Sequence, residues 1–546
     1  MKQIGFTNFR KFEEFPSIDL GDITMLVGRN SSGKSTMVKA LLLTLDNLRE
    51  MPVNAQYPYK HIVRFDKNQF SDLNISTFHR ALNTTAKAKG ENAMSFKTQI
   101  DYLTYEIKVS GNLEENNGYG FLTNLIVTAS PFRFNAKYEF EIDFVNDTRT
   151  IRKYDDKKNE ISEQVLKRIE DLFARLEALK KECDLKGENY SSAVMEQIEV
   201  TAELNALKAK LESIEATTAI SSEVVIPFIH DEEVEGLDFI SEQLTRTIED
   251  CFDFELENKY GNLDEGDAYI DEKTGRVCTI DDDEWIEYKS QRDILLSSEN
   301  DIMDIAHSIR KGLGQAFFGY IYAHGVNQRS IYSIHDKNDY IAKTLHDYNK
   351  VASPMAEDFI RTWMREFEIG DNFILSNYFD EGYSVQIEKL SKDGEIEQSV
   401  GLADLGMGSI QVMIILFRLA SMISYYTTWD IPEPDGKIVL PTIIIEEPEQ
   451  NLHPALQSKL AKLFYQVNSD YGFRFIIETH SEYLIRKTQV EVAKHKGEEW
   501  ENPFAVYYFP VVGNPYKMEY RADGKFSNEF GKGFFDEAAE LAFQIF

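Results

Sequence analysis

Three short stretches carry residues whose types and spacing could act together on a phosphate ester. The first, GRNSSGKST at residues 28–36, fits G-x-x-x-x-G-K-[ST] through Gly28, Gly33, Lys34 and Ser35. A glycine-rich turn of this kind lets backbone N–H groups close around a phosphate, with the lysine as cation and the hydroxyl as metal ligand. Apolar Ile23–Val27 precedes it, and KSTMVKALLLTLDNL follows with apolar residues at helical spacing. That strand–loop–helix context makes the match a credible phosphate loop. The second stretch, TIIIEEPEQNLHP at 442–454, ends a run of isoleucines in two carboxylates. One acid at a strand end beside a phosphate loop can hold Mg2+, and the next can orient or deprotonate the attacking water. This assigns metal to Glu446 and the catalytic role to Glu447. The third, RFIIETHSEYLI at 474–485, ends another apolar strand in Glu478-Thr479-His480-Ser481. Lone histidines are commonly structural; His480 stands out because it follows the acid pair by one strand and one helix, where it can reach a γ-phosphate.

Lys34 and Glu447 are separated by about 400 residues yet must meet at one phosphate. A single sheet must therefore be drawn from both chain ends, with the middle inserted as a lobe. Residues 1–155 read as an N-terminal lobe that holds the phosphate loop and then, from about 93, antiparallel strands: SFKTQIDYLTYEIKV and YEFEIDFV alternate apolar and polar. Over 156–218, Val165, Ile169, Leu172, Leu176 and Leu179 form one helical stripe, and Val194, Ile198, Leu204, Leu207, Leu211 and Ile214 a second. Both arms are rich in Glu and Lys, which predicts an antiparallel hairpin of coiled-coil character, or an ordinary helical pair on the body. Residues 219–400 read as an acidic, mainly helical insertion, and 401–546 as a C-terminal lobe. Val412–Ile423 is the best apolar run; Arg418 interrupts it, and at that length it reads as a buried helix rather than a bilayer span.

The 546 residues carry a net charge of −33. A surface that coats nucleic acid needs positive potential, so any such contact must use a local groove or a partner. Between Asp231 and Glu284 there are twenty acids against four bases; a solvated acidic face or a docking surface for a basic partner accounts for this. The three cysteines, Cys183, Cys251 and Cys278, form no C-x-x-C pair. Reduced thiols fit a cytoplasm, and the N-terminal MKQIGFTNFRKF lacks the apolar core of a signal peptide.

GRNSSGKST, IIIEEPE and ETHS, in this order, resemble the Walker A, Walker B and switch-histidine motifs of ABC-type ATPases, and more narrowly those of the SMC/RecF/OLD-like group. Asn8-Phe9-Arg10 matches an NFR common near the N-terminus in that group. EPEQNLHPALQSKLAKLF, FIIETHSEYLI and GFFDE are similar to the PtuA-type ATPases of Septu and Septu-like retron anti-phage systems. The resemblance covers roughly 1–50 and 400–546. It implies an α/β fold: an ABC-type ATPase head from both chain ends, an antiparallel β lobe and an inserted helical or coiled-coil region. It implies ATP and Mg2+, with ATP bound by Arg10, Asn30, Ser31, Gly33, Lys34, Ser35 and Thr36, and Mg2+ held by Ser35 and Glu446. Glu447 and His480 would be catalytic. DLGMGSIQVMIIL, from Asp404, stands where the family's signature contacts ATP of the opposite subunit, which assigns Gly406, Gly408 and Ser409 to a trans site. It departs from L-S-G-G-[QE], with Gly406 at the expected serine. Asn451-Leu452-His453 stands where the D-loop usually has an aspartate, and the metal acid is Glu rather than Asp. Gln69 and Gln99 are both candidates for the Q-loop.

The implied function is an ATP-binding and hydrolysing regulatory subunit of a prokaryotic defence complex. It would control a separate nuclease through nucleotide-dependent dimerisation of the heads. Implied partners are a second copy or a higher oligomer, an HNH nuclease (PtuB-like), and in a retron a reverse transcriptase with its RNA/DNA product; no membrane is expected. The alternative is an SMC/RecF-like repair ATPase that clamps duplex DNA. OLD nucleases carry a C-terminal Toprim domain, and the residues after His480 are expected to leave no room for one. Those residues read instead as a hairpin and a closing helix.

Overall fold

In the computed structural model, residues 2–54, 60–65, 75–113, 117–130, 136–154, 175, 220–228, 236–253, 268–270, 277–279, 299–315, 318–321, 327–336, 339–379, 381–428, 441–498, 500–532, 534–536 and 541 are described. The expected hairpin at 156–218 lies outside them, apart from residue 175.

Gln3–Phe9 (β1) and Phe12–Asp19 (β2) form a hairpin, and Ile23–Gly28 (β3) leads through the phosphate loop into Lys34–Glu50 (α1). Short strands Val53–Asn54 (β4) and Lys60–Arg64 (β5) and short helices Phe78–Ala81 (α2) and Thr84–Ala88 (α3) come next. Then follow Ala93–Ile100 (β6), Leu103–Ser110 (β7), Tyr119–Ala129 (β8), Lys137–Asp143 (β9), Thr148–Tyr154 (β10) and, later, Ile220–Pro227 (β11). Phe239–Asp253 (α4), the small pair Ala268–Ile270 (β12) and Val277–Thr279 (β13), and Glu299–Gln315 (α5) lead to Phe318–Ile321 (β14). Tyr332–Ser333 (β15), Tyr340–Val351 (α6), Pro354–Glu366 (α7), Asn372–Asn377 (β16), Gly382–Leu390 (β17), Ile396–Gly401 (β18) and Met407–Thr428 (α8) continue the chain. It closes through Thr442–Glu446 (β19), Pro454–Tyr471 (α9), Arg474–Thr479 (β20), Glu482–Lys494 (α10), Phe504–Phe509 (β21) and Tyr516–Met518 (β22).

Two sheets organise these elements. The antiparallel one runs β11-β10-β9-β8-β7-β6-β1-β2, with β5 on β8 and β4 on β5. The other runs β14-β19-β20-β3-β21-β22, parallel except for its last pair. All of its strands but the outer β14 come from the two chain ends, as the fold class implied: β3 is flanked by β20 and β21.

The period of two along these strands builds the cores. On β3, Leu26 joins the apolar cluster that also holds α1 and the antiparallel sheet, whereas Ile23, Met25 and Val27 join the cluster around α8. Ile444 and Ile476 go to the first cluster, and Ile443, Ile445, Phe475 and Ile477 to the second. A parallel sheet with both faces covered reads as continuous apolar runs for this reason. The antiparallel strands alternate instead, strictly so in β7, because one face is solvated.

Helix α1 packs against β1, β3, β5 and β6 and is buried nearly all round, so it shows no clean polar face. Its Asn47 stays satisfied by donating to Leu43 O and accepting from Arg64 N. Helix α8 spans 22 residues, longer than the apolar run predicted from sequence. An 18-residue window of its stretch Met407–Tyr426 is apolar enough to cross a bilayer, but 83% of that window is buried inside the fold, against α6 and α7 among others. Arg418, which breaks the run, donates to Asp347 at 2.7 Å. Helix ends carry their signals: Ser353 and Ser481 cap α7 and α10, and α9 begins at Pro454 and stops at Gly472 in the left-handed region.

Between 219 and 401 the described residues include strands that a mainly helical reading did not anticipate. The apolar FGYI at 318–321 continues a helical pattern in sequence, but it pairs in register with Thr442–Ile445 as the outer strand of the parallel sheet. Strands β15–β18 form a separate antiparallel sheet, and β18 is largely exposed, so it offers no apolar alternation to detect.

Candidate active site

The phosphate loop is built by backbone that only particular residues tolerate. Gly28 leaves β3 at φ +152, where a Cβ would stand 2.4 Å from the Phe509 carbonyl. Gly33 enters α1 at φ +110, where a Cβ would meet the Phe12 ring at 2.5 Å. Ser31 also has positive φ, at 60. The turn is tied by Ser32 N–H donating to Arg29 O, and Thr36 and Met37 N–H both donate to Gly33 O. Among the described residues no hydrogen-bond acceptor takes the N–H groups of Asn30, Ser31, Gly33, Lys34 or Ser35. A ring of open donors at a helix N-terminus is an anion-binding surface.

Lys34 is 2% exposed and donates from Nζ to Gly28 O and Arg29 O. Burial pulls its pKa down, and Glu478 partly offsets this. Ser35 Oγ donates to Glu478 Oε1 at 2.9 Å, and Lys34 Nζ lies 3.8 Å from the same oxygen. Glu478 Oε2 is buried and has no hydrogen-bond partner. Burial, with Glu446 and Glu447 adding to it, pushes the Glu478 carboxyl up to about 7 against the pull of Lys34 and Ser35.

Strand β20 brings Glu478 there because it lies between β3 and β19, in register with both: Glu478 is opposite Leu26 on one side and Glu446 on the other. Glu447 follows β19 with φ 43, in a region a non-glycine residue adopts only under constraint. Its N–H donates to Glu478 O at 2.7 Å, and its Oε2 accepts from Gln450 Nε2 at 2.6 Å. Its Oε1 stands 3.7 Å from His480 Nε2. Burial and Lys34 lower the His480 pKa below its ordinary 6.5, so this contact joins a carboxylate to a neutral imidazole at pH 7. Buried Glu449 accepts from His480 N–H at 2.6 Å and so fixes the histidine backbone. Ser481 Oγ donates to Gln457 Oε1, while Gln457 Nε2 donates to Leu452 O, which fastens α9 and the loop after β19 to the start of α10.

Of the residues assigned from sequence, Lys34, Ser35, Glu447 and His480 thus converge on one end of the parallel sheet. Gly33 shapes the loop, Thr36 is buried behind it, and Asn30 and Ser31 are exposed on its rim. Glu446 is one strand farther from β3 than Glu478, and the Ser35 hydroxyl pairs with Glu478 instead. Arg10 occupies the β1–β2 turn, its N–H donating to Ala81 O, and burial beside Arg80 lowers its pKa. Gly408 lies against the loop after β19, where a Cβ would stand 2.4 Å from Asn451 O; Gly406 is exposed with nothing near its Cβ position. Among the described residues no hydrogen bond or ion pair joins Gly406, Gly408 or Ser409 to the phosphate loop. Gln99 pairs with Gln3, at the end of β1 away from Arg10. Gln69 lies outside the described residues.

Two residues had no role assigned from sequence. Glu478 sits in the ETHS stretch, but only strand order shows that it faces Ser35. Lys11 follows the NFR matched above: its Nζ donates to Ser31 O, Ser32 O and Val511 O, joining the β1–β2 turn, the phosphate loop and the β21–β22 turn.

The donor set suits a hard divalent cation: a serine hydroxyl, a carboxylate with an orphaned buried oxygen, and further carboxylate nearby. Glu447, Glu478 and His480 place ligand atoms within 4.8 Å of one another.

A family model described as AAA ATPase domain (AAA_15) matches residues 1–485. No protein of curated function is matched. Among solved structures, the chain is similar to the Smc head domain with an extended coiled coil bound to the C-terminal domain of ScpA, from Pyrococcus furiosus. Identity there is 11%, with 100% of this chain and 98% of that chain covered and a TM-score of 0.29. It is also similar to the SMC head domain from Thermotoga maritima, at 9% identity, 95% and 98% coverage and a TM-score of 0.28. Likeness at this level carries no argument about partners or substrates.

Proposed function

The chain belongs to the AAA ATPase domain family AAA_15, and from that premise we propose that it binds ATP and hydrolyses it at the loop–β19–β20 site. The convergence of Lys34, Ser35, Glu478, Glu447 and His480 from segments far apart in sequence carries this reading. In it, the open N–H groups of the loop and the Lys34 ammonium bind the terminal phosphates. Mg2+ near Ser35 would neutralise phosphate charge as it develops. Glu447, held at positive φ and fixed by Gln450, orients the attacking water and takes its proton. Neutral His480 donates or accepts one hydrogen bond beside it.

The chain would act as the regulatory ATPase of a prokaryotic anti-phage defence complex, of the PtuA kind, in the cytoplasm, with cleavage carried by a partner HNH nuclease. Support comes from the sequence resemblance. Head pairing across Gly406, Gly408 and Ser409 would complete the ATP site in trans.

Calorimetry and turnover test the ATPase part. Lys34→Ala is expected to abolish ATP binding or weaken it severely, because a desolvated polyphosphate loses its cation; unchanged affinity overturns the site. Incubating the partner-free chain with plasmid and tRNA in Mg2+ or Mn2+ tests the regulator part. Cleavage that persists through purification and disappears in a point variant of this chain would refute it.

A further inference from the structure

A glycine rotates more freely than any other residue, so a glycine-rich turn does not by itself decide which way its peptide units face. In a trans peptide the C=O of one residue and the N–H of the next point in opposite directions. Were the Ser32–Gly33 unit to turn over, a carbonyl would face a bound phosphate in place of an N–H and repel it. That unit must therefore be held from outside the loop.

We propose that Lys11 is the positioning residue that holds the phosphate loop in its anion-binding form. This rests on the ATPase reading above and adds a residue to it. Lys11 Nζ donates to Ser32 O at 2.7 Å, to Val511 O at 3.1 Å and to Ser31 O at 3.2 Å. The bond to Ser32 O draws that carbonyl toward the β1–β2 turn, so the Gly33 N–H points the other way, and this N–H is one of the open donors of the loop. The bond to Ser31 O fixes the preceding unit, whose Ser32 N–H closes the turn on Arg29 O. Gly33 stands at φ +110, and a Cβ there would be 3.3 Å from Lys11 Cδ, so the lysine stem also lies along the residue most able to rotate.

An ammonium has three N–H donors, and here backbone carbonyls take all of them. None is left for a phosphate, so Lys11 acts on a nucleotide through the shape of the loop and not by contact. Its third acceptor, Val511 O, lies on the β21–β22 turn, 500 residues away in sequence. The loop at the start of the chain is thereby shaped in part by the hairpin near its end.

Calorimetry of the full-length chain with Mg2+ and a non-hydrolysable ATP analogue gives affinity and stoichiometry, and single-turnover hydrolysis at saturating ATP gives the rate once nucleotide is bound. Lys11→Met is expected to weaken analogue binding at least about tenfold, the scale of a lost charge-assisted hydrogen bond. The saturated rate should stay within about threefold of wild type, because a loop that holds ground state and transition state alike affects binding alone. Loss of a positive charge would also weaken an anion, but salt screens that effect: from about 0.1 M to about 1 M KCl the screening length falls from about 10 Å to about 3 Å. The deficit of Lys11→Met, relative to wild type at the same salt, is expected to persist at the higher concentration. An affinity within about twofold of wild type, a deficit that vanishes at high salt, a saturated rate that falls as far as the affinity, or a lowered stoichiometry at unchanged affinity overturns the proposal. Should Lys11→Met fail to fold by circular dichroism, Lys11→Gln takes its place under the same criteria, since an uncharged amide has too few donors for the three carbonyls. If the wild-type chain binds no nucleotide, the ATPase reading itself falls, a result distinct from all of these.

Discussion

At the scale of single residues, Glu447 and Glu478 show how far a side chain's chemistry depends on where its backbone is held. Glu447 sits at φ 43 with its carboxylate fixed by Gln450, close to His480. Glu447→Gln should leave ATP bound and slow single-turnover hydrolysis by about 10²-fold or more, the scale of a positioned base; the same phenotype in Glu446→Gln instead would reverse the two roles. Glu478 carries a pH signature in the metal-free protein. Its folded value of about 7 lies above the ordinary 4.5, so between those values the folded chain keeps a proton that the unfolded chain has released. This contribution is therefore fully present below 4.5 and is lost as pH rises through 7, on the order of 3 kcal/mol in all. Melting in EDTA from pH 5 to 8 should show Glu478→Gln gaining stability relative to wild type as pH rises; a constant difference would count against it. Lys34, Ser35, Glu447 and His480 were legible in the sequence because each belongs to a local pattern with its own chemistry. Glu478 and Lys11 were not, because their partners are set by which strands and turns come to lie side by side.

Elements divide along the same line. The apolar runs of β3, β19 and β20 and the alternation of β6, β7 and β9 were readable, since burial on two faces or one leaves its mark on period. The order β19-β20-β3 was not, because no local pattern states which strand lies next to which. Strand β14 escaped notice for a related reason: four residues are too few to separate a strand from the end of a helix. The turn from β3 into α1 makes its own prediction. Gly33→Ala must hold φ near +110 while its new methyl meets the Phe12 ring. It should cost roughly 1–3 kcal/mol, visible as a lowered Tm in the nucleotide-free protein; an unchanged Tm would mean that the loop relaxes freely.

For the whole molecule, the open surface at Gly406 matters most. Gly408 is closed in by Asn451, so a side chain there disturbs the fold of its own subunit, whereas Gly406 has space in front of it. A trans site is therefore best tested at Gly406. Lys34→Ala chains mixed with Gly406→Asp chains should regain part of the ATPase activity that each lacks, because a mixed pair keeps one intact composite site. Specific activity of the wild-type chain should also rise with its concentration. Verified mixed dimers with no regained activity would argue for catalysis within one subunit.

The placement of β3 between β20 and β21 also has a consequence in time. Both ladder partners of ITMLVG are encoded after residue 473, so a ribosome adding about 5–20 residues per second needs roughly 25–100 s after making β3 to deliver them. Throughout that interval an apolar strand waits with both edges open, the condition under which nascent chains pair wrongly with one another. Translation speed and chaperone supply during synthesis therefore act on the phosphate loop itself, and a chain released early carries that loop at the end of a strand with nothing to lie against.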